Sequence, residues 1–416
     1  MTSAMTITIE DVRATAERLA GQIVATPTVR SAALSDRNGT DIYLKLESLQ
    51  RTGSFKDRGA LAKMLTLDGA EAAAGVIAVS AGNHAQGVAY HAQRLGIPAT
   101  VVMPTGTPFN KIQRTEAFGA RVVLHGDDLS AAEPYAHELA EEKNLTLIHP
   151  FDDPAIIAGQ GTVALEMLST QPDLDALIVP VGGGGLIAGI AIAAKGVNPA
   201  IEIIGVEAAM YPSVRAALSG GPPATGGRTL AEGIAVKSPG ALNLEIIRAL
   251  VDDIVLVDEP SLETAVVAMM ETGKVMAEGA GAAPLAALDS AGDRFIGQRI
   301  GLIVSGANID SRLLASLLMR GLARAGRLAR LRVLVPDEPG HLARVAAEIS
   351  GNGANIVEVY HRRMFHDIPA KETELDVVVE TRDEAHVRQL LKQLVDAGFD
   401  VSRLRDSARQ EQTGIE

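Results

Sequence analysis

The chain has 416 residues, of which 47% are hydrophobic, so it is long enough for two or three domains with a large buried core. Its 38 basic and 51 acidic residues give a net charge of −13, which disfavours nucleic acid and anionic lipid as partners. The sequence has no cysteine, which excludes disulfides, thiolate catalysis and cysteine-based zinc sites and fits a cytoplasmic location.

Most of the sequence predicts alternating buried strands and amphipathic helices. The predicted strands are Ile42–Glu47, Val76–Ser80, Ala99–Met103, Ala120–Leu124, Leu145–His149, Ala176–Val181, Glu202–Glu207, Ile254–Val257 and Arg299–Ser305. The predicted helices are His84–Leu95, Ala131–Lys143, Ser261–Glu271 and Ser311–Arg324. Apolar strands separated by helices indicate an α/β fold with parallel sheets, whose ligand sites lie at the carboxyl ends of the strands.

One uncharged segment, Ala176–Ala194, approaches the length of a membrane span. Pro180 and the four glycines Gly182–Gly185 would interrupt a helix at its middle. We therefore expect a strand, a glycine-rich turn and a helix here, and no membrane as a partner. The segment Met1–Glu10 has neither a basic region nor an apolar stretch, so we expect no secretory signal.

The composition changes near residue 320, where the small and basic residues 321–330 predict a linker. The next 75 residues or so predict a ferredoxin-like βαββαβ unit over residues 331–405, followed by a flexible tail, 406–416. The predicted elements are strands Leu331–Val335, Asn355–Tyr360, Thr373–Glu380 and Phe399–Leu404, and helices Leu342–Ser350 and Glu384–Asp396.

Lys56 is the first candidate for chemistry, because it follows a predicted strand and a polar turn and stands at the start of a helix. The positive end of the helix dipole and burial both lower the pKa of a lysine, which makes the neutral amine available for a Schiff base. Taken alone, an ordinary exposed lysine beside Arg58 is far more common. The neighbouring motifs reverse that preference.

Ser80 and Asn83 lie between a predicted strand and a helix, where free amides suit a carboxylate and Asn83 can bond a ring oxygen. Simple helix capping is the alternative, and His84 is predicted to be structural. Gly182–Gly185 and Leu186 follow another strand and predict a phosphate site. The same turn also fits a dinucleotide fingerprint, with Glu207 about 20 residues further on.

Ser305 ends the last predicted strand of this region and could bond a pyridine nitrogen, or cap the following helix. Metal motifs are poor, since the nine histidines are scattered. Glu207 is the one candidate for a monovalent or divalent cation, although a solvated strand end is the simpler interpretation of this residue.

Taken together, six segments resemble the fold-type-II pyridoxal-phosphate enzymes, which are tryptophan synthase β-like, and among them the threonine/serine ammonia-lyases. The segments are KLESLQRTGSFKDRGA, SAGNHAQGVA, VPVGGGGLIAG, TLAEGIAVKSPG, MAEGAGAAPLAAL and VSGANID. The resemblance covers residues 8–325 and implies a catalytic domain, 1–320, with a smaller parallel-sheet subdomain, about 48–150, inserted in the larger one.

The resemblance also implies roles for individual residues. Those toward pyridoxal 5'-phosphate are Lys56 (Schiff base and general base), Phe55 (packing on the ring), Asn83 (3-hydroxyl), Gly182, Gly183, Gly184, Gly185 and Leu186 (phosphate) and Ser305 (ring nitrogen). Those toward the substrate are Ser80, Ala81, Gly82, Asn83, His84 and the acidic Glu278. The sequence departs from the family at Asp57, which replaces an apolar residue; it either points away from the site or faces it and raises the pKa of Lys56. Ala81 is also informative, because it lacks the hydroxyl that serine racemases use as a second proton donor.

The implied reaction is β-elimination and deamination of L-threonine, and of L-serine, to 2-oxobutanoate or pyruvate and ammonia, in isoleucine biosynthesis or threonine catabolism. The alternatives are a serine or 3-hydroxyaspartate dehydratase, a nicotinamide-dependent oxidoreductase and a non-catalytic amino-acid sensor. The C-terminal segments DEPGHL and GANI resemble an ACT domain. This resemblance implies a branched-chain amino-acid effector at Gly340, His341, Leu342, Asn355 and Ile356, in a homodimer or homotetramer; a purely structural dimerisation module is the alternative.

Overall fold

The structure is a computed structural model that describes residues 7–222, 226–362 and 371–404. The chain divides into a first unit, residues 1–309, and a second unit, residues 310–416. This division lies about ten residues before the predicted one, because the helix Ser311–Arg324 packs against the first strand of the second unit. Residues 321–330, predicted as a linker, hold the end of that helix and the start of that strand. The predicted tail, 406–416, lies outside the described residues.

The first unit is built from strands and helices in alternation. Its strands are β1 (Thr28–Arg30), β2 (Asp41–Leu46), β3 (Val76–Val79), β4 (Ala99–Met103), β5 (Arg121–Leu124), β6 (Thr146–Leu147), β7 (Ala176–Pro180), β8 (Glu202–Ala208), β9 (Asp253–Val257) and β10 (Arg299–Val304). Its helices are α1 (Ile9–Leu19), α2 (Ala32–Asn38), α3 (Lys56–Met64), α4 (Gly69–Ala74), α5 (Asn83–Leu95), α6 (Phe109–Glu116), α7 (Leu129–Lys143), α8 (Pro154–Thr170), α9 (Gly185–Val197), α10 (Ser213–Leu218), α11 (Ala241–Leu250), α12 (Glu259–Glu271) and α13 (Gly279–Ser290).

Two sheets organise this unit, which confirms the predicted α/β class. The larger sheet has the order β1-β2-β10-β7-β8-β9, and within it only the β1–β2 pair is antiparallel. The smaller sheet, β5-β4-β3-β6, is parallel throughout and lies within the segment predicted as the smaller subdomain. Every residue of β7 is buried, as expected for a central parallel strand covered on both faces.

The uncharged segment 176–194 forms β7, a glycine-rich turn and most of α9, as predicted. In the described part of the chain, the structure has no helix that is long and apolar enough to cross a membrane.

The second unit has the predicted ferredoxin-like order. After α14 (Ser311–Arg324) come β11 (Leu328–Pro336), α15 (His341–Gly351), β12 (Asn355–Arg362), β13 (Glu372–Glu380), α16 (Glu384–Asp396) and β14 (Asp400–Leu404). These strands form an antiparallel sheet in the order β12-β13-β11-β14. Along β11, apolar and charged side chains alternate. Leu331 and Val333 are buried in the core, whereas Arg330 and Arg332 bind the buried carboxylate of Asp376.

Candidate active site

A cavity of about 410 Å³ lies at the carboxyl ends of β3, β7 and β10 in the first unit. Its lining contains every residue predicted for the cofactor and the substrate: Phe55, Lys56, Ser80, Ala81, Gly82, Asn83, His84, Gly182, Gly183, Gly184, Gly185, Leu186, Glu278 and Ser305. Parallel strands bring their carboxyl ends to one edge, so residues far apart in the sequence converge there.

Lys56 is the first residue of α3, and the turn before it is tied to the end of β10. The Phe55 amide donates to the Ser305 carbonyl at 3.0 Å, and Ser54 pairs with Gly306 as a β-bridge. The Lys56 amine donates to the Pro150 carbonyl at 2.6 Å and lies 5.1 Å from the centre of the Phe55 ring. Burial lowers the pKa of Lys56 to about 8, so a sizeable fraction of the amine is neutral near pH 8.

Asp57 turns away from the cavity and bonds instead to the turn before α3. Its carboxylate accepts from the Thr52 amide at 3.2 Å and from the Thr52 hydroxyl. Asp57 therefore does not face Lys56 from within the site, and burial sets the lowered pKa of Lys56.

A network of four buried or partly buried charges holds the other side of α3. Arg58 donates two bonds of 2.7 Å to Glu47 and two of 2.7 Å to Glu166. The Lys45 amine donates to Glu166 at 2.6 Å. Burial alone would raise the pKa of Glu47, but Arg58, Lys45 and the bond from Thr26 together outweigh burial and hold that pKa below its usual value. The network joins β2, α3 and α8 next to Lys56.

The glycine turn after β7 is shaped by its neighbours. A Cβ atom on Gly183 would lie 2.3 Å from the Phe151 ring, and Gly184 has a φ of 95°, which favours glycine. The Asn243 amide donates to the carbonyls of Phe151 (3.0 Å) and Gly183 (2.9 Å). The turn therefore has a fixed backbone, and the first amides of α9 have no partner within the helix and can bind an anion.

Glu278, Asn83 and Asn308 form a hydrogen-bonded row along the cavity wall. The Asn83 amide nitrogen donates to Glu278 at 2.7 Å, and its oxygen accepts from the Asn308 amide nitrogen at 2.8 Å. Asn308 also donates to the Thr52 carbonyl at 2.7 Å. Burial raises the pKa of Glu278 to about 7, although the bond from Asn83 opposes that rise. Glu278 can therefore hold a proton in the site near neutral pH.

His84 is buried, and its Nε2 bonds the Ile148 carbonyl at 2.8 Å. Burial and, less strongly, the charge of Lys56 lower the pKa of His84 to about 3, so the imidazole is neutral and donates to that carbonyl. Its position supports the structural role predicted for it, although it also lines the cavity.

Glu207 is buried, so the expectation of a solvated strand end is wrong. Its carboxylate accepts from the amides of Val214 (2.7 Å) and Arg215 (3.0 Å) at the start of α10. Among the described residues, no group of three or more His, Asp or Glu side chains is arranged to hold a metal ion. The contacts of Glu207 are those of a residue that stabilises a helix terminus.

Sequence reasoning missed three residues that support the site. Phe151, Asn243 and Asn308 carry no motif of their own, because their contribution is to hold other residues in place. Asn308 does stand in the segment VSGANID, so its position beside Ser305 was a usable signal.

The second unit has a cavity of about 240 Å³ at the start of α15. Gly340, His341 and Leu342 line it, together with Val335, Asp337, Glu338 and His361 among others. Asn355 and Ile356 are absent from the lining. They lie at the opposite end of β12, because Asn355 pairs with Glu380, whereas Arg362 pairs with Glu374 near the cavity. The predicted effector residues therefore do not form one site within this chain.

The site and the fold together define a class. Residues 19–306 match the family described as "Pyridoxal-phosphate dependent enzyme", and residues 329–396 match the ACT domain family. The chain belongs to the pyridoxal-phosphate-dependent enzyme family and carries a C-terminal ACT domain. This result decides between the two interpretations of the glycine turn in favour of pyridoxal phosphate, and the nicotinamide alternative is wrong.

Within that family the chain is similar to an L-threonine ammonia-lyase of Thermotoga maritima, with 41% identity over 95% of this chain and 99% of that one. An L-threonine ammonia-lyase of Geobacter sulfurreducens is 44% identical over 94% of this chain and 97% of that one. Among solved structures, threonine deaminase isoform 2 of Solanum lycopersicum has a TM-score of 0.69 and 37% identity, covering 75% of this chain and 91% of that one.

The residues present fit pyridoxal phosphate. An amine with a lowered pKa faces a cavity of about 410 Å³. The same cavity is lined by a turn of four glycines, where a side chain on Gly183 or Gly185 would collide with Phe151.

Proposed function

We propose that this protein removes water and ammonia from L-threonine to give 2-oxobutanoate, and acts on L-serine to give pyruvate. The observation that carries the proposal is the Lys56 amine, which burial keeps partly neutral in the cavity that the glycine turn also lines. The printed names of the relatives in Thermotoga maritima and Geobacter sulfurreducens support the same reaction.

In this proposal, Lys56 holds the cofactor covalently, Gly182–Gly185 and Leu186 bind its phosphate, and Phe55 packs on its ring. Asn83 bonds the 3-hydroxyl and Ser305 the ring nitrogen. When bound, pyridoxal phosphate supplies an electron sink for the charge that develops at the substrate's α-carbon.

The chain's own groups bind the substrate and move its protons. The backbone of Ser80–Asn83, at the start of α5, binds the carboxylate, since helix N-termini favour anions. Lys56 would be free to act as a base only after the substrate's own amine has replaced it on the cofactor. The released neutral amine would then accept the α-proton, and its pKa of about 8 suits a base that works near neutrality. Glu278, with a pKa of about 7, holds a proton beside Asn83 and maintains the donor direction of that amide.

Ala81 distinguishes this chain from a racemase. Its methyl group lines the cavity and has no proton to deliver to the α-carbon from the second face. A serine racemase of Dictyostelium discoideum shares the fold, with a TM-score of 0.68 and 35% identity, so this one side chain is a direct test of reaction type. We expect racemisation of serine to be weak beside its deamination.

The central experiment replaces Lys56 with alanine. Loss of the amine removes both the covalent link and the base, so 2-oxobutanoate formation should fall by a factor of at least about a thousand. Borohydride reduction and mass spectrometry of the wild type should place a pyridoxyl group on Lys56. Lys63→Ala is the matched control, because Lys63 lies on the same helix and pairs with Asp153 at 2.7 Å. Threonine turnover by Lys56→Ala at more than about a tenth of the wild-type rate would contradict the assignment.

For the second unit we propose regulation by a branched-chain amino acid in a homodimer or homotetramer. The cavity near Gly340 offers apolar groups in Val335 and Leu342 for such a side chain and the carboxylates of Asp337 and Glu338 for its amine. β12 is an edge strand with exposed Val357, Val359 and Tyr360, which suits pairing with a second copy. Isoleucine or valine should change the threonine KM, and no effect of either would favour the purely structural dimerisation module.

The absence of cysteine supports a cytoplasmic location for this reaction. A pocket discriminates one methyl group only modestly, so the substrate preference has to be measured. Comparing kcat/KM for threonine, serine and 3-hydroxyaspartate decides among the dehydratase alternatives.

A further inference from the structure

Asp57 connects Lys56 to two other parts of the site. Asp57 is 1% exposed, and its carboxylate accepts hydrogen bonds from both the amide and the hydroxyl of Thr52. The Thr52 carbonyl in turn accepts from Asn308, which also bonds Asn83. One buried charge therefore fixes the turn that leads into Lys56, and the same turn orients the amide of Asn83.

His91 on α5 faces the other side of this carboxylate. Its Nε2 lies 4.0 Å from an Asp57 oxygen and, among the described residues, has no hydrogen-bond partner. The Nδ1 atom accepts from Arg94 at 3.2 Å, which leaves the ring proton on Nε2. Arg94 also donates to the Gln22 carbonyl at 2.7 Å. Burial lowers the pKa of His91 to about 3, so this ring is a neutral donor that faces Asp57.

Helices α3 and α5 are packed closely next to Lys56. A Cβ atom on Gly87, one turn before His91, would lie 3.3 Å from the Lys56 carbonyl. A change in the Asp57–His91 contact therefore has little room to be absorbed before it reaches Lys56.

We propose that Asp57 is a positioning residue for Lys56, acting through Thr52, and that the N–H of His91 helps to keep Asp57 ionised during turnover. This inference rests on the proposed role of Lys56.

The groups that face Asp57 determine its titration. Burial raises the pKa of Asp57 to about 6, the bonds from Thr52 and the Arg51 backbone oppose this rise, and Glu47 adds to it. Arg58, on the same helix, directs its charge to Glu47 and Glu166 instead. From α5, His91 faces the carboxylate at 4.0 Å, and the charge of Arg94 is directed to the Nδ1 of His91 and to the Gln22 carbonyl. Below about pH 6 the carboxyl is protonated, and neutral hydrogen bonds replace the charge-assisted bonds to Thr52.

The consequence is an acid limit on kcat near pH 6, separate from the titration of Lys56. In Asp57→Asn, which has similar size but does not titrate, we expect kcat at pH 8 to fall about tenfold, KM for threonine to stay within about twofold, and the acid limit to disappear. His91→Leu removes the N–H donor and should move the limit up by about one pH unit, whereas His91→Gln keeps a donor and should leave it in place.

The test measures kcat against pH for the four holoenzymes, together with the pyridoxyl content of Lys56 after borohydride reduction. A wild type without that adduct overturns the proposed function and this inference with it. With the adduct present, an unchanged acid limit in Asp57→Asn, or equal shifts in the two His91 variants, overturns the positioning role alone.

Discussion

Replacing Arg58 with methionine should destabilise the first unit far more than the loss of a surface ion pair does. Arg58 and Glu47 are fully buried, and among the residues that the structure describes, the change leaves the Glu47 carboxylate with Lys45, at 3.9 Å, as its one charged partner. Removing one member of a buried pair costs about 3–5 kcal/mol. A unit of about 300 residues has an unfolding entropy of roughly 0.6 kcal/mol/K, so its melting temperature should fall by about 5–8 °C.

Differential scanning calorimetry of the cofactor-free protein measures this shift directly. Arg30→Met is the matched control, because Arg30 pairs with Asp41 at the surface, where the side chains are 47% and 42% exposed. Exposed pairs contribute at most about 1 kcal/mol, which corresponds to a shift of less than about 2 °C. If Arg58→Met and Arg30→Met melt within about 2 °C of each other, the assigned importance of the buried network is wrong.

Three further predictions concern the cavity of the first unit and the edge strand β12. Gly183→Ala places a methyl group 2.3 Å from the Phe151 ring and should weaken pyridoxal-phosphate binding at least about tenfold in an absorbance titration, while Gly226→Ala, which meets no neighbour, should not. Because burial raises the pKa of Glu278 to about 7 from 4.5, the folded chain keeps a proton that the unfolded chain has lost between these values, so stability falls as pH rises through this range. Glu278→Gln should flatten that slope in thermal melts at pH 5 and pH 8, and an unchanged slope would show that Glu278 titrates normally. Val357→Lys puts a charge on the exposed face of β12 and should shift the protein toward smaller oligomers in light scattering, whereas a charge at the exposed Leu218 in the first unit should not.

The strand pattern located Ser80–Asn83, Gly182–Gly185 and Ser305, because they directly follow β3, β7 and β10. Glu278 follows no strand, and only the resemblance pointed to it. α8 and α13 were not predicted, because their exposed faces are too small to produce an amphipathic period; ten of the twelve residues of α13 are buried. β1 has three residues, which is too short for a strand pattern.

The remaining surprises come from side chains whose partners are distant in sequence. Glu207 looked like a solvated strand end, since no local pattern shows that the first amides of α10 fold back over it. Asp57 could have faced either way, and only the position of Thr52 decides which. Asn355 follows the ACT-like pattern, but the register of β12 on β13 places it at the opposite end of the strand from Gly340.

The glycine turn follows β7 of the larger sheet, while Asn83 follows β3 of the smaller one. A molecule that contacts both the glycine turn and Asn83 must bridge two separately hydrogen-bonded sheets. Its affinity therefore includes the free energy needed to hold the two sheets in one fixed arrangement. Saturation with pyridoxal phosphate should therefore slow protease cleavage of the segments that connect the two sheets, even at peptide bonds that the cofactor does not contact.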